Sequence, residues 1–234
     1  MWLRSVVVIG VGVGKMEFAI APLRWAGLAL LSTSTNMKNF KAWATAALGL
    51  GFVWATAAPA RAEWAPGAVV NSVYEGIQQI HGYRATPRLI WNSRVGDRSA
   101  CGPIRGTHYC TLNHTVYITQ QDVKFAYQHG DAALAYIVAH EYAHAMQVAH
   151  GFMPRTTKLS ELQADCLAGV YLGVIPNLTL DQKDVQEIAS FAYRIGDYSW
   201  GSAHHHGTPT QRVKAVLLGM RSSAKGKGVA ACRA

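Results

Sequence analysis

Residues 139–147 read AHEYAHAMQ and set His140, Glu141 and His144 among alanines and other small or apolar residues. On an α-helix, positions four apart project from one face about one turn apart, so the rings of His140 and His144 can converge on a single ion. Glu141 is rotated by about 100° from His140. It therefore lies beside the ion's position, where it can hold a metal-bound water. This is the H-E-x-x-H arrangement of two zinc ligands and a general base. The competing reading is a buried helix whose polar residues meet ordinary hydrogen-bond partners. Burying an unpaired polar group costs roughly 2–7 kcal/mol, so each of these three needs a partner of some kind.

A catalytic zinc usually takes three protein ligands and keeps one position open. The segment SELQADCLAG at 160–169 offers Glu161 and Asp165 on one face of the next predicted helix. Glu161 is the natural third ligand. Asp165 can accept the second ring N–H of a ligating histidine and so fix its tautomer. An exposed acidic pair is the alternative for these two. Like charges at that spacing repel, however, and Leu162, Ala164, Leu167, Ala168 and Val170 surround them.

These groups need elements to carry them. Asp131 reads as the N-cap of a helix from Ala132 to about Ala149, with Gly151 as its stop. A second helix is predicted over about Lys158 to Leu172, and a third over DQKDVQEIASFAYRI, ending at Gly196. Thr208, Pro209 and Gln211 have the form of a capping box and start a helix running toward Gly219. Upstream, VVNSVYEGIQQIHG reads as a helix, and PRLIWNS and TVYIT as strands on either side of a cysteine-bounded loop. Few strands followed by several helices predict a small α+β domain.

The chain has 234 residues, half of them hydrophobic and 15% charged, with a formal net charge of +9. Much of the excess lies in residues 1–62, which hold Arg4, Lys15, Arg24, Lys38, Lys41 and Arg61 against Glu17. No dense basic run with interleaved aromatics follows, so nucleic acid is not an expected partner. MKNFKAWATAALGLGFVWATAAPARA begins at Met37 with two lysines and ends Ala60-Arg61-Ala62. A basic start, a short apolar stretch and an A-x-A site describe a secretory signal peptide over 37–62. An uncleaved anchor giving membrane association is the alternative. Residues 1–36 are read as an upstream extension or a mis-assigned start, with translation beginning at Met37 or Met16. The functional domain is assigned to 63–234 and placed outside the cytoplasm, periplasmic or secreted.

Cys101, Cys110, Cys166 and Cys232 all follow the expected cleavage point. An even number in an exported chain favours disulfides. Cys101 and Cys110 close a short Gly/Pro-containing loop and form the expected pair; the pairing of Cys166 and Cys232 stays open. Their spacing is not that of a cysteine-based zinc site.

Taken together, SACGPIRGTHYCTLNHTVYIT, the H-E-x-x-H helix, ELQADC, Gly196-Asp197 and HGTPTQR at 206–212 resemble the neutral zinc metallopeptidases of bacteria, over about Arg98 to Met220. The wider resemblance is to gluzincins, whose fold packs a sheet against the helix carrying the metal ligands. The resemblance implies a zincin-like domain, Zn²⁺ as cofactor and a peptide or protein substrate. It makes Glu161 the third ligand beside His140 and His144, and Glu141 the base. It also puts the loop of His206 near the site, which makes His206 the candidate oxyanion donor; Tyr193 and Tyr198 are weaker ones. For His204–His206 a solvated loop or an accessory metal tract is the competing reading. His81, His108, His114, His129 and His150 are expected to be structural or exposed. The TVYIT strand is expected to bind an extended peptide along its edge. The family usually has glycine and a further histidine where this chain has Ala143 and Ala145, and aromatics where it has VKAVLLG. The alternative function is an exported zinc-binding or interaction protein without proteolytic activity.

Overall fold

A computed structural model describes residues 65–82, 86–176 and 178–233. The predicted upstream extension and signal peptide lie outside the described residues. Among the described residues no helix is long and apolar enough to cross a membrane.

Among the described residues six α-helices and two small sheets give a mixed α+β architecture. Helix α1 (Pro66–His81) has proline at its start, where the missing N–H would have had no helical acceptor anyway. The chain then forms β1 (Arg88–Ser93), a hairpin of β2 (Arg98–Ser99) and β3 (Gly102–Pro103), then β4 (His108–Cys110) and β5 (Thr115–Thr119). The order in the main sheet is β1-β5-β4, with β1 parallel and β4 antiparallel to β5. All five residues of β5 are buried and both of its edges are paired.

That arrangement corrects the expectation that TVYIT offers an edge to a peptide. The edge strand on the cleft side is β4, hidden in sequence because it is short and enclosed by the cysteine loop. Cys101 and Cys110 are joined, which ties the start of that loop to the end of β4. Helix α2 (Gln120–Tyr127) follows β5 without a break and is capped by the Thr119 side chain. Asp122 in its first turn accepts from Thr107 N at 2.6 Å and from the Thr119 hydroxyl at 2.7 Å. One carboxylate thus pins the approach to β4 against α2.

Helix α3 (Asp131–Ala149) is buried over most of its circumference, as expected of a helix that packs on several neighbours. It starts one residue earlier than predicted, and Asp131 is not its cap. The N-cap is Gly130 with φ 119°, which makes no side-chain cap. The acceptor comes from another helix: Glu187 Oε2 receives Ala132 N at 3.2 Å. A Cβ at Gly130 would lie 2.0 Å from the Glu187 carboxyl carbon, so glycine is required there for space as well as for φ. Local spacing cannot reveal a cap supplied from 55 residues away.

Helix α4 (Thr157–Leu172) is capped by Thr156, α5 (Gln182–Arg194) by an Asp181–Asp184 box, and α6 (Pro209–Ala224) by the Thr208–Gln211 box. Helix α6 runs past Gly219, because that glycine lies in a helix crossing and does not end the helix. A Cβ at Gly219 would sit 1.9 Å from Cys166 O, and one at Gly169 would sit 2.2 Å from Val216 O. Two glycines thus let α4 and α6 approach backbone to backbone. Cys166, on α4, is joined to Cys232 in the 3₁₀ turn Gly228–Cys232, which fixes the chain beyond α6 to α4.

Candidate metal centre

Helix α3 delivers His140 and His144 from one face, and α4 delivers Glu161 opposite them. His140 Nε2 lies 3.1 Å from His144 Nε2 and 3.2 Å from Glu161 Oε2; His144 Nε2 lies 3.3 Å from Glu161 Oε1. The other ring nitrogens fix the tautomers. His144 Nδ1 is 2.8 Å from Gln147 Oε1, whose amide nitrogen donates to Ser160 O and Gln163 Oε1. His140 Nδ1 is 2.8 Å from Asp165 Oδ1, though not aligned as an ideal hydrogen bond. Facing acceptors, both Nδ1 atoms carry the proton, which leaves both Nε2 lone pairs turned toward each other and toward a carboxylate.

Three acceptors this close repel unless a metal ion or a shared proton lies among them. One donor atom from each of the three lies within 4.8 Å of the others, close enough for one ion with metal–nitrogen bonds near 2.0–2.1 Å. The donor set, two imidazoles and a carboxylate, therefore fits a zinc-sized ion. The electrostatics agree. Burial alone would lower the His140 pKa, but Asp165 and Glu161 outweigh it and push it up to about 10. Burial would raise the Glu161 carboxyl, yet His140 and His144 hold it well below the usual range. The cluster is built to attract positive charge.

The three donors lie in a cleft of about 750 Å³. One wall is Gly106–Tyr109 with β4; the other is the end of α3 at Val148 and the α3–α4 connection, including Met153 and Arg155. Glu141 also lines the cleft; it is 8% exposed and has no hydrogen-bond or ion-pair partner among the described residues. A carboxylate so placed faces whatever enters the cleft.

A family model described as "Putative neutral zinc metallopeptidase" matches residues 68–228. The chain belongs to this family. Among curated proteins it is 28% identical over 196 residues to the uncharacterized protein Rv2575 of Mycobacterium tuberculosis, covering 68% of this chain and 66% of that protein. It is 33% identical over 168 residues to the uncharacterized protein YpfJ of Escherichia coli, covering 58% of each. The chain thus spans about two thirds or less of the length of these relatives. No solved structure matches it significantly.

In this zinc metallopeptidase family member, several residues around the donors carry little signal in the sequence. Arg212 of α6 is buried and grips Asp165 with Nε at 2.9 Å and Nη2 at 2.7 Å. The Tyr136 hydroxyl donates to Asp165 Oδ1 at 2.5 Å. Burial would raise the Asp165 carboxyl, but Arg212 and then His140 hold it down at about 2. Asp165 is thus a charged hub joining α3, α4 and α6 behind His140. Arg212 directly follows the capping box and has Lys214 two positions on, and nothing in that stretch names its partner. Gln147 was findable: it is a polar residue three positions after His144 on a buried helix, and its own exposure is nil. Gln147→Leu is expected to weaken zinc affinity by about 10- to 100-fold, read by competition with a chromogenic chelator, because His144 then loses its orienting acceptor.

The remaining predicted residues divide. His206 lines the cleft, with Nδ1 3.2 Å and its backbone N 2.9 Å from Asp197 Oδ2. Tyr193 and Tyr198 are exposed and do not line the cleft. His108, expected to be structural or exposed, belongs to the β4 wall and stacks on Tyr117 at 5.3 Å. Ala143 and Ala145 are fully buried in α3.

Proposed function

We propose that this chain is a zinc-dependent metallopeptidase of zincin-like, gluzincin-type fold that cleaves peptide bonds within protein substrates. The observation that carries the reading is the meeting of three cation-seeking acceptors with an unpartnered carboxylate in one cleft. His140, His144 and Glu161 would hold Zn²⁺. Bound there, zinc acts as a Lewis acid that polarises a carbonyl and makes water a nucleophile near neutral pH. Glu141 takes the proton of the attacking water and delivers it to the leaving amine. His206, oriented by Asp197, donates to the oxygen that gains charge as the carbonyl becomes tetrahedral. Asp165 and Gln147 keep the two imidazoles in the tautomer with Nε2 free. The exposed side of β4 offers backbone groups with which an extended substrate can pair. The two disulfides fit an exported protein.

The test is cleavage of an unfolded protein such as casein by the full chain. We expect hydrolysis that 1,10-phenanthroline abolishes and added zinc restores. Stoichiometric zinc with no cleavage of casein or of a peptide library would favour the exported zinc-binding protein instead.

A further inference from the structure

The charges of the domain are unevenly placed along the chain. Residues 63–197 hold ten Lys or Arg against twelve Asp or Glu, whereas 198–234 hold six Lys or Arg and no Asp or Glu. The positive excess of 63–234 therefore lies wholly in α6 and the chain beyond it. Of those six, Arg212 alone is buried and ion-paired among the described residues. Lys214, Arg221, Lys225, Lys227 and Arg233 are exposed.

Lys214, Leu218, Arg221 and Lys225 recur at spacings of four, three and four, which puts them on one stripe of α6. Val216, Gly219 and Ser222 form the buried stripe, with Gly219 against α4. Beyond the helix, Lys227 N donates to Ser222 O at 2.9 Å, and the Ser222 hydroxyl donates to Gly228 O at 2.8 Å. With the Cys166–Cys232 disulfide, these bonds hold Lys227, Val229 and Arg233 near the end of α6. The plainer reading is a solvated helix face whose last turns attract cations through the helix dipole. That covers Arg221 and Lys225, but not Lys214 in the second turn or Arg233 past the 3₁₀ turn. Two apolar side chains, Leu218 at 44% and Val229 at 42% exposure, stand among the charges.

We propose that this face seats the domain on a membrane surface rich in anionic phospholipid. Lipid phosphates meet the five cations, and Leu218 and Val229 enter the headgroup layer, as the apolar residues of interfacial helices do. Nucleic acid fits the face less well, because the stripe carries no aromatic side chain on which a base could stack. Arg212 lies about 200° around the helix from Lys214, and none of the five cations lines the cleft. Docking by this face thus leaves the cleft open, whether or not the chain cleaves peptides.

The test uses the full chain with Ala224→Cys, an exposed position beside the stripe, labelled with a polarity-sensitive fluorophore. The signal is then local to α6 and insensitive to lipid contacts made elsewhere in the chain. Vesicles of phosphatidylcholine alone, and of equal parts phosphatidylcholine and phosphatidylglycerol, are titrated in. We expect the probe to report partition onto the anionic vesicles on the order of a hundredfold stronger than onto the neutral ones. Raising the ionic strength to 1 M, where charge is screened within about 3 Å, should remove the difference. Each cation at an anionic surface is worth about fivefold in partition, so Lys225→Gln with Lys227→Gln should weaken it about 25-fold. Zinc content and circular dichroism of that variant should match those of the parent. An equal response to both vesicles, no response to either, or a response untouched by the double substitution would overturn the proposal. A response to duplex DNA and none to anionic vesicles would assign the face to nucleic acid and likewise overturn it.

Discussion

Glu141→Gln is expected to keep one equivalent of zinc and to lose about 10²- to 10⁴-fold in peptide hydrolysis, the span that a positioned general base supplies. Glu141 is adjacent in sequence to one candidate ligand, lines the same cleft and has no partner among the described residues. Glutamine keeps its volume and removes its capacity to take a proton, so fold and metal binding stay while chemistry fails. Metal analysis and kcat/KM on one preparation read both halves. Activity within tenfold of wild type would move the base elsewhere. Loss of zinc along with activity would mean that Glu141 is a ligand.

Asp165→Ala is expected to act on stability and on the metal together. Asp165 is fully buried and contacts Arg212, Tyr136 and His140. Removing it leaves the buried guanidinium with Glu161 Oε2, 3.9 Å away, as its remaining counter-charge, and loss of a buried partner costs up to about 3–5 kcal/mol. It also frees the His140 ring, which should lower zinc affinity by about 10- to 100-fold. The two effects separate by experiment. Chemical denaturation of the metal-free protein reads the first, because Arg212 loses its bidentate partner whether or not metal is bound. Chelator competition reads the second. Asp165→Asn keeps the shape and one acceptor, so its metal-free stability should fall by less than that of the alanine variant. Unaltered stability of metal-free Asp165→Ala would mean that the pair contributes nothing to the fold.

The helices that carry the donors were legible because their signals are local. Spacing at four residues put His140 with His144, and Thr208, Pro209 and Gln211 announced α6 at its first residue. What stayed hidden was set by partners distant in sequence. The cap of α3 is Glu187 on α5, so Asp131 stood in for it in the sequence. Gly219 looked like a helix end and is a contact point with Cys166 O, a meaning that only the neighbouring helix gives it. Arg212 lies 47 residues from Asp165, and nothing near it in sequence shows that it is buried. The strand order was equally out of reach. TVYIT alternates no more like a central strand than like an edge, and β4 is only His108–Cys110.

The account stands on His140, His144 and Glu161 sharing one ion, and X-ray absorption at the zinc K-edge of the purified full chain addresses this directly. It predicts one zinc per chain, with a first shell of two imidazole nitrogens and light oxygen donors at about 2.0–2.2 Å. His144→Ala should remove one imidazole from that shell or empty the site. A zinc coordinated by sulfur, or a spectrum unchanged by His144→Ala, would contradict it.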